Sequence, residues 1–165
     1  MNQRYKNMGS IIHASKVYTK EELRLLETIP DPCSIIIFGA SGDLAFRKLF
    51  PSIFFLLEQG LMPKNFYVLG VARTPLSKEE FHGKLMASLP VDVSLDLKKE
   101  FIERCNYLSG DYGASQTYQD LNECLNSLDV KYGVGKKRVF YLSVPPFYIW
   151  NCYSEFGGGA ANRFF

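Results

Sequence analysis

Ser34-Ile-Ile-Ile-Phe-Gly-Ala-Ser-Gly-Asp-Leu-Ala-Phe-Arg-Lys48 decides the fold of this chain. Residues Ser34–Phe38 make an apolar, β-branched run of strand length, and small residues at Gly39, Gly42 and Ala45 lead into an amphipathic segment. Strand, tight turn and helix in that order match the place where a dinucleotide pyrophosphate meets the start of a helix. Gly39 then permits the turn, Gly42 lets the backbone approach the phosphates, and Ala45 lets helix and strand pack closely. The first N–H groups of the helix and the positive end of its dipole face the anion. The competing reading is that these small residues serve packing alone. The Gly-x-x-x-x-Gly-Lys-Ser/Thr spacing of a mononucleotide loop is absent.

Downstream, Phe50, Ile53, Phe54 and Leu57 recur at helical spacing. Pro51 removes a backbone donor inside that segment, so an irregularity or restart of the helix is expected there, and Gly60 and Pro63 end it. Phe66–Val71 reads as a second buried strand, which completes a βαβ unit with a right-handed crossover. Ser77-Lys-Glu-Glu80 is a capping box that starts a helix running to Ser88. Leu95–Cys105 reads as a helix and Asn106–Ser109 as a short strand. Ser115–Leu128 reads as a helix burying Tyr118, Leu121, Leu125 and Leu128. Arg138–Val144 is a strand stopped by Pro145-Pro146. This alternation predicts an α/β fold of Rossmann type with a doubly wound, mainly parallel sheet. Upstream, residues 1–18 lack a period and read as an irregular arm, and Thr19-Lys-Glu-Glu22 opens a short helix ending near Glu27. The division is therefore 1–33 for the arm and short helix, 34–146 for the dinucleotide-binding domain, and 147–165 for an irregular tail. That tail carries Gly157-Gly158-Gly159 where a crossover helix is due, so the sheet is read as incomplete at the C-terminus.

The whole chain constrains its partners. With 165 residues, 47% of them hydrophobic and 22% charged, it suits one soluble domain. A formal charge of +2, with no basic run interleaved with aromatics, argues against nucleic acid. No apolar run approaches the roughly twenty residues of a membrane span, and the polar start Met-Asn-Gln-Arg-Tyr-Lys shows no secretory h-region. Cys33, Cys105, Cys124 and Cys152 are widely spaced without a Cys-x-x-Cys pair, which fits reduced cysteines in a cytoplasmic protein and no metal site.

Which nucleotide the loop suits depends on the end of the second strand. NAD-selective sites set a carboxylate there; this strand ends Gly70-Val71-Ala72-Arg73-Thr74. A guanidinium at Arg73 meets a 2′-phosphate with two parallel hydrogen bonds, and Thr74 can add a hydroxyl, which favours NADP. The alternative is a solvated surface arginine. Arg47-Lys48 opposes the helix dipole and so suits a bound anion or a solvated basic face. His13, in the arm, and His82, on a capped surface helix, are read as structural or solvated, which leaves no catalytic residue for hydride transfer. A short-chain or epimerase-type enzyme with a similar loop would want a Tyr-x-x-x-Lys pair downstream, and none is expected.

Ile36-Ile-Phe-Gly-Ala-Ser-Gly-Asp-Leu-Ala-x-Arg-Lys-Leu49, followed by Phe50-Pro51, resembles the coenzyme-binding motif of the glucose-6-phosphate dehydrogenase family. Val68-Leu-Gly-Val-Ala-Arg73, Tyr107-Leu-Ser-Gly-Asp-Tyr112 and Val139-Phe-Tyr-Leu-Ser-Val-Pro-Pro146 resemble three further family segments, in order. The resemblance implies NADP contacts from Gly39, Ala40, Ser41, Gly42, Asp43, Leu44, Ala45 and Arg73, second-rank contacts from Asp111 and Tyr112, and a cleft shaped by Pro145 and Pro146. Phe46 departs from it, standing where the family usually has a basic residue. Also absent are the family's later landmarks: Glu-Lys-Pro, with a substrate lysine, and Arg-Ile-Asp-His-Tyr-Leu-Gly-Lys-Glu, with the histidine base. The expectation is the coenzyme domain of such an enzyme, truncated or frameshifted near residue 150 and inactive alone. Glucose 6-phosphate and homo-oligomer contacts then belong to the full-length family member. A non-catalytic NADP-sensing module and a dead gene fragment are the alternatives.

Overall fold

Two short strands come first, Ile12–His13 (β1) and Lys16–Val17 (β2), paired antiparallel with Ile12 opposite Val17. An irregular arm was expected here; Ile12 and Val17 are β-branched, and a pairing this short leaves no periodic signal. The computed structural model describes residues 12–13, 16–17, 30–146 and 148–149. The helix expected from Thr19 and most of the tail from 147 onward lie outside the described residues.

The run at Ser34 becomes the inner strand Cys33–Phe38 (β3) of a four-stranded sheet. Phe66–Ala72 (β4) lies on one side of β3, with Cys105–Ser109 (β5) outside it, and Arg138–Leu142 (β6) lies on the other. Every pairing in this sheet is parallel; Phe38 sits opposite both Val71 and Leu142. The chain thus steps outward from β3 to β4 to β5, then returns to the far side of β3. Such a reversal opens a crevice at the carboxyl ends of the strands.

Both faces of the inner strands are covered, which is why β4 is buried along its whole length. Its residues alternate between two cores, as the twofold period of a strand requires. Phe66 and Val68 join Ile37, Phe50, Phe54, Phe81 and Phe101 on one side, under the helices Phe50–Glu58 (α1), Lys78–Ser88 (α2) and Leu95–Glu103 (α3). Tyr67, Leu69 and Val71 join Ile36, Phe38, Leu121 and Leu125 on the other, under Ser115–Tyr132 (α4). The doubly wound arrangement follows. On β6, Phe140 and Leu142 pack on the α4 side, whereas Val139 (53%) and Tyr141 (45%) stay exposed.

The irregularity expected at Pro51 is present. The chain is helical from Asp43, but Ala45–Leu49 forms a π turn in which the Phe50 N–H donates to the Ala45 carbonyl. Pro51 has no N–H to give Arg47, and its ring would crowd that carbonyl in an ordinary α turn; the wider turn relieves the conflict.

The strand read as Arg138–Val144 ends at Leu142, leaving Ser143 and Val144 to the rim of the cleft, and two helix boundaries also differ from expectation. The helix read as Leu95–Cys105 stops at Glu103, because buried Cys105 pairs with Val68 as the first residue of β5. The helix read to Leu128 continues to Tyr132, whose ring packs on Tyr67 and whose hydroxyl donates to the Glu103 carbonyl at 2.6 Å.

The capping box of α2 is complete: Ser77 Oγ accepts from the Glu80 N–H at 3.1 Å, and the Ser77 N–H donates to Glu80 Oε2 at 2.7 Å. Ser77→Ala should lower the unfolding free energy by about 1 kcal/mol in urea titrations. The Ser77 N–H also holds the Glu80 carboxyl below its ordinary value. Its contribution is therefore full above the ordinary carboxylate range and is lost as pH falls through the lowered value.

Candidate coenzyme cleft

At the carboxyl ends of β3, β4 and β6 lies a cleft of about 480 Å³, within the range of small-molecule sites. Gly39, Ser41 and Gly42 line it from the loop after β3, Arg73, Thr74 and Pro75 from the end of β4, Tyr112 from beyond β5, and Ser143, Val144 and Pro145 from the end of β6. The parallel register produces this convergence: Phe38 opposite Val71 and Leu142 leaves the next residues of all three strands at one rim.

The loop is pinned to β4. The Gly39 N–H (2.9 Å), the Ala40 N–H (3.3 Å) and the Tyr112 hydroxyl (3.2 Å) all donate to the Val71 carbonyl. Tyr112 Oη also accepts from the Gly39 N–H at 2.9 Å. Gly39 has φ +83°, and a Cβ there would stand 2.0 Å from the Ser143 carbonyl oxygen. Gly42 differs: a Cβ on it would meet only the Gly39 carbonyl oxygen, at 3.1 Å. Internal packing therefore does not require glycine at Gly42, and its bare side borders the cleft. With Gly39 engaged, and with the Ala45 and Phe46 N–H groups donating to the Gly42 carbonyl, the donors offered to an anion at the start of the helix are those of Asp43 and Leu44.

The residues singled out in the sequence do not all reach the cleft. Ala40 and Ala45 are buried in the core under α1 to α3, Ala40 against Gly70 of β4. Asp43 is turned aside to Arg47, with Arg47 Nε 2.9 Å from its carboxylate, and Leu44 is exposed. Neither lines the cleft, and neither does Asp111, whose carboxylate accepts from the Gly113 N–H at 2.9 Å. Arg47 and Lys48 line a larger, separate hollow of about 770 Å³ with Phe46, Lys84, Ala87 and Ser88. That hollow shares no residue with the strand-end cleft.

Sequence reading missed Pro75, Ser143 and Val144 as lining residues; the only hint was their position at strand ends. It also missed how Arg73 is held. Arg73 Nη1 donates to the Tyr148 hydroxyl at 2.8 Å, and its guanidinium carbon lies 4.9 Å from the Tyr148 ring centre. Beside it, Ser41 Oγ donates to Thr74 Oγ1 at 3.1 Å, and the Tyr107 hydroxyl donates to the Thr74 carbonyl at 2.6 Å. Partial burial pushes the Tyr107 phenol up, so it stays a donor.

Among the described residues no histidine lines the cleft, and the His82 ring bonds the Cys105 carbonyl at 2.9 Å. Tyr132 and Lys136 do stand at Tyr-x-x-x-Lys spacing. The Tyr132 hydroxyl, however, is bonded to Glu103, at the opposite end of the sheet from the cleft. Among the described residues, no three His, Cys, Asp or Glu side chains converge to hold a metal, and no helix is long and apolar enough to cross a membrane.

Comparison with known proteins agrees with this geometry. The family described as glucose-6-phosphate dehydrogenase, NAD binding domain, matches residues 36–162. Glucose-6-phosphate 1-dehydrogenase 1, chloroplastic, of Arabidopsis thaliana is 37% identical over 145 residues, covering 85% of this chain and 24% of the relative. The Streptococcus pneumoniae glucose-6-phosphate 1-dehydrogenase is 41% identical over 113 residues, covering 68% and 23%. A solved glucose-6-phosphate dehydrogenase in complex with its substrate glucose-6-phosphate superposes with a TM-score of 0.72 at 28% identity, over 79% of this chain and 28% of that one. The chain spans about a quarter of the length of the curated relatives it matches.

Proposed function

Since the chain belongs to the family of glucose-6-phosphate dehydrogenase NAD binding domains, we propose that residues 34–146 are the coenzyme-binding part of such an enzyme and that the cleft takes NADP. The observation that carries the choice of coenzyme is Arg73. It lines the cleft at the end of β4, where an NAD-selective site would set a carboxylate. Its guanidinium supplies the fork of donors that a 2′-phosphate accepts, with the Thr74 hydroxyl beside it. Gly42 and the start of the helix would hold the pyrophosphate, and Ser143 and Pro145 would border the nicotinamide end.

In a full-length enzyme Gly42, Arg73 and Thr74 would hold the coenzyme, which would supply the acceptor for the hydride removed from C1 of glucose 6-phosphate, giving a lactone and NADPH. A histidine outside residues 34–146 takes the hydroxyl proton as general base. Residues 34–146 bind and orient the coenzyme without supplying that base, so the 165-residue chain alone does not turn over. Homo-oligomer contacts and sugar-phosphate contacts belong to the same full-length assembly. We assign the chain to the cytoplasm on its cysteines, of which Cys33, Cys105 and Cys124 are free.

Calorimetric titration and thermal unfolding test the reading together. NADP should bind and raise the unfolding midpoint, with NAD far weaker. Arg73→Ala should lower NADP affinity by about 10- to 100-fold while leaving NAD within twofold. Equal binding of the two coenzymes would overturn the NADP assignment, and NADPH formation from glucose 6-phosphate by this chain would overturn the claim of inactivity.

A further inference from the structure

We propose that Tyr148 is a positioning residue for coenzyme selectivity: it clamps the Arg73 guanidinium in place for the 2′-phosphate and couples it to the pyrophosphate loop. The inference rests on the reading of the cleft as an NADP site and goes beyond it, because Tyr148 need not touch the coenzyme.

An arginine at a cleft rim samples many rotamers, and a ligand that engages it must fix them. Arg73 is exposed, yet two aromatic rings bound it. Its guanidinium carbon is 4.9 Å from the Tyr148 ring centre and 6.0 Å from that of Tyr112, and Nη1 donates to Tyr148 Oη at 2.8 Å. Tyr148 and Tyr112 meet edge to face with centres 5.4 Å apart. Tyr112 is almost wholly buried and anchored at its hydroxyl by the Gly39 N–H and the Val71 carbonyl. A continuous set of contacts thus runs from the loop through Tyr112 and Tyr148 to the guanidinium.

Two geometries were open to such a tyrosine. It could occupy the space of the 2′-phosphate and act as a plug, or stand behind the arginine and act as a brace. Arg73 and Tyr112 line the cleft, and the Tyr148 ring lies against both the guanidinium and the Tyr112 ring, the arrangement of a brace; the Tyr148→Ala variant below separates the two. The hydrogen bond to Tyr148 engages Nη1 alone, and a guanidinium carries five N–H donors, so the others remain for a bidentate grip on phosphate. The stacking also keeps a charged group ordered at little cost in desolvation. NADP draws on Arg73 and NAD does not, so this ordering is felt as selectivity between the two.

The test is titration of the full chain with NADP, NAD and 2′,5′-ADP, in wild type, Tyr148→Ala, Tyr148→Phe, Arg73→Ala and the double variant Arg73→Ala/Tyr148→Ala. Tyr148→Ala should weaken NADP and 2′,5′-ADP about five- to tenfold and change NAD less than twofold. Tyr148→Phe, which keeps the ring and loses the hydroxyl, should recover most of that loss. In the Arg73→Ala background the Tyr148 substitution should have no further effect on NADP. Parallel weakening of NADP and NAD, a full Tyr148 effect without Arg73, or tighter NADP binding by Tyr148→Ala would each overturn the brace. Absence of NADP binding in wild type would instead overturn the coenzyme reading itself. Wild-type binding with no Tyr148 effect overturns only this inference.

Discussion

Gly39→Ala should lower the unfolding free energy by more than about 4 kcal/mol, enough to leave much of the chain unfolded at room temperature. Two costs coincide at this position. The backbone sits at φ +83°, where a non-glycine residue is strained by about 1–3 kcal/mol. The added Cβ would also lie 2.0 Å from the Ser143 carbonyl oxygen, a backbone atom that no rotamer change can move aside. Relief requires pushing the end of β6 off β3, which breaks the Ser143 N–H bond to the Phe38 carbonyl (2.9 Å). Gly42→Ala is the matched control. Its Cβ meets one atom at 3.1 Å, so stability should stay within about 1 kcal/mol. NADP affinity should nevertheless fall, because the methyl borders the anion site. Urea unfolding of both variants separates the two roles; a Gly39→Ala loss no larger than that of Gly42→Ala would refute the account of the loop.

Asp129→Ala should cost about 3–5 kcal/mol, again measured by urea unfolding. Asp129 on α4 receives Arg138 Nη2 at 2.7 Å through one carboxylate oxygen and the Tyr67 hydroxyl at 2.7 Å through the other. The Arg138 side chain is 0% exposed. One carboxylate therefore joins helix α4 to the first residue of β6 and to the middle of the sheet. Burial pushes the Tyr67 phenol well up, so it remains a donor at any physiological pH. Removing the carboxylate takes the Asp129 charge from a buried cation and the Asp129 acceptor from the Tyr67 hydroxyl. Since breaking the pair is what costs, Arg138→Met combined with Asp129→Leu should be markedly less damaging than Asp129→Ala alone. An equal or larger loss in the double variant would show that the pair matters for its shape and not its charge.

The parts of the fold that local rules govern were legible in the sequence. The β3 and β4 runs, the α2 cap and the disturbance at Pro51 each depend on residues within a few positions of one another. The end of α3 was not legible, because Cys105 leaves the helix to pair with Val68, far along the chain. The same distinction divides the site. Gly39, Gly42 and Arg73 stand at strand ends, where position alone assigns them to the rim. Asp111 and Tyr112 are neighbours, and nothing in their spacing says which enters; Tyr112 does so because its ring is buried against Phe38. Ser143 becomes a neighbour of Gly39 only once the parallel register of β3 and β6 is known. The Arg73–Tyr148 contact spans 75 positions, and no local pattern encodes it.

The parallel pairing of Ser34 with Arg138 sets an order of assembly. β3 is the first strand of the sheet to be synthesised, and its second neighbour arrives more than a hundred residues later. Until β6 emerges, one side of β3 has no hydrogen-bonding partner in the sheet, and closing so long a loop is slow for a chain of this size. The cleft inherits that delay, because Ser143 to Pro145 form its last wall. Coenzyme capture should therefore be among the final events as the chain folds.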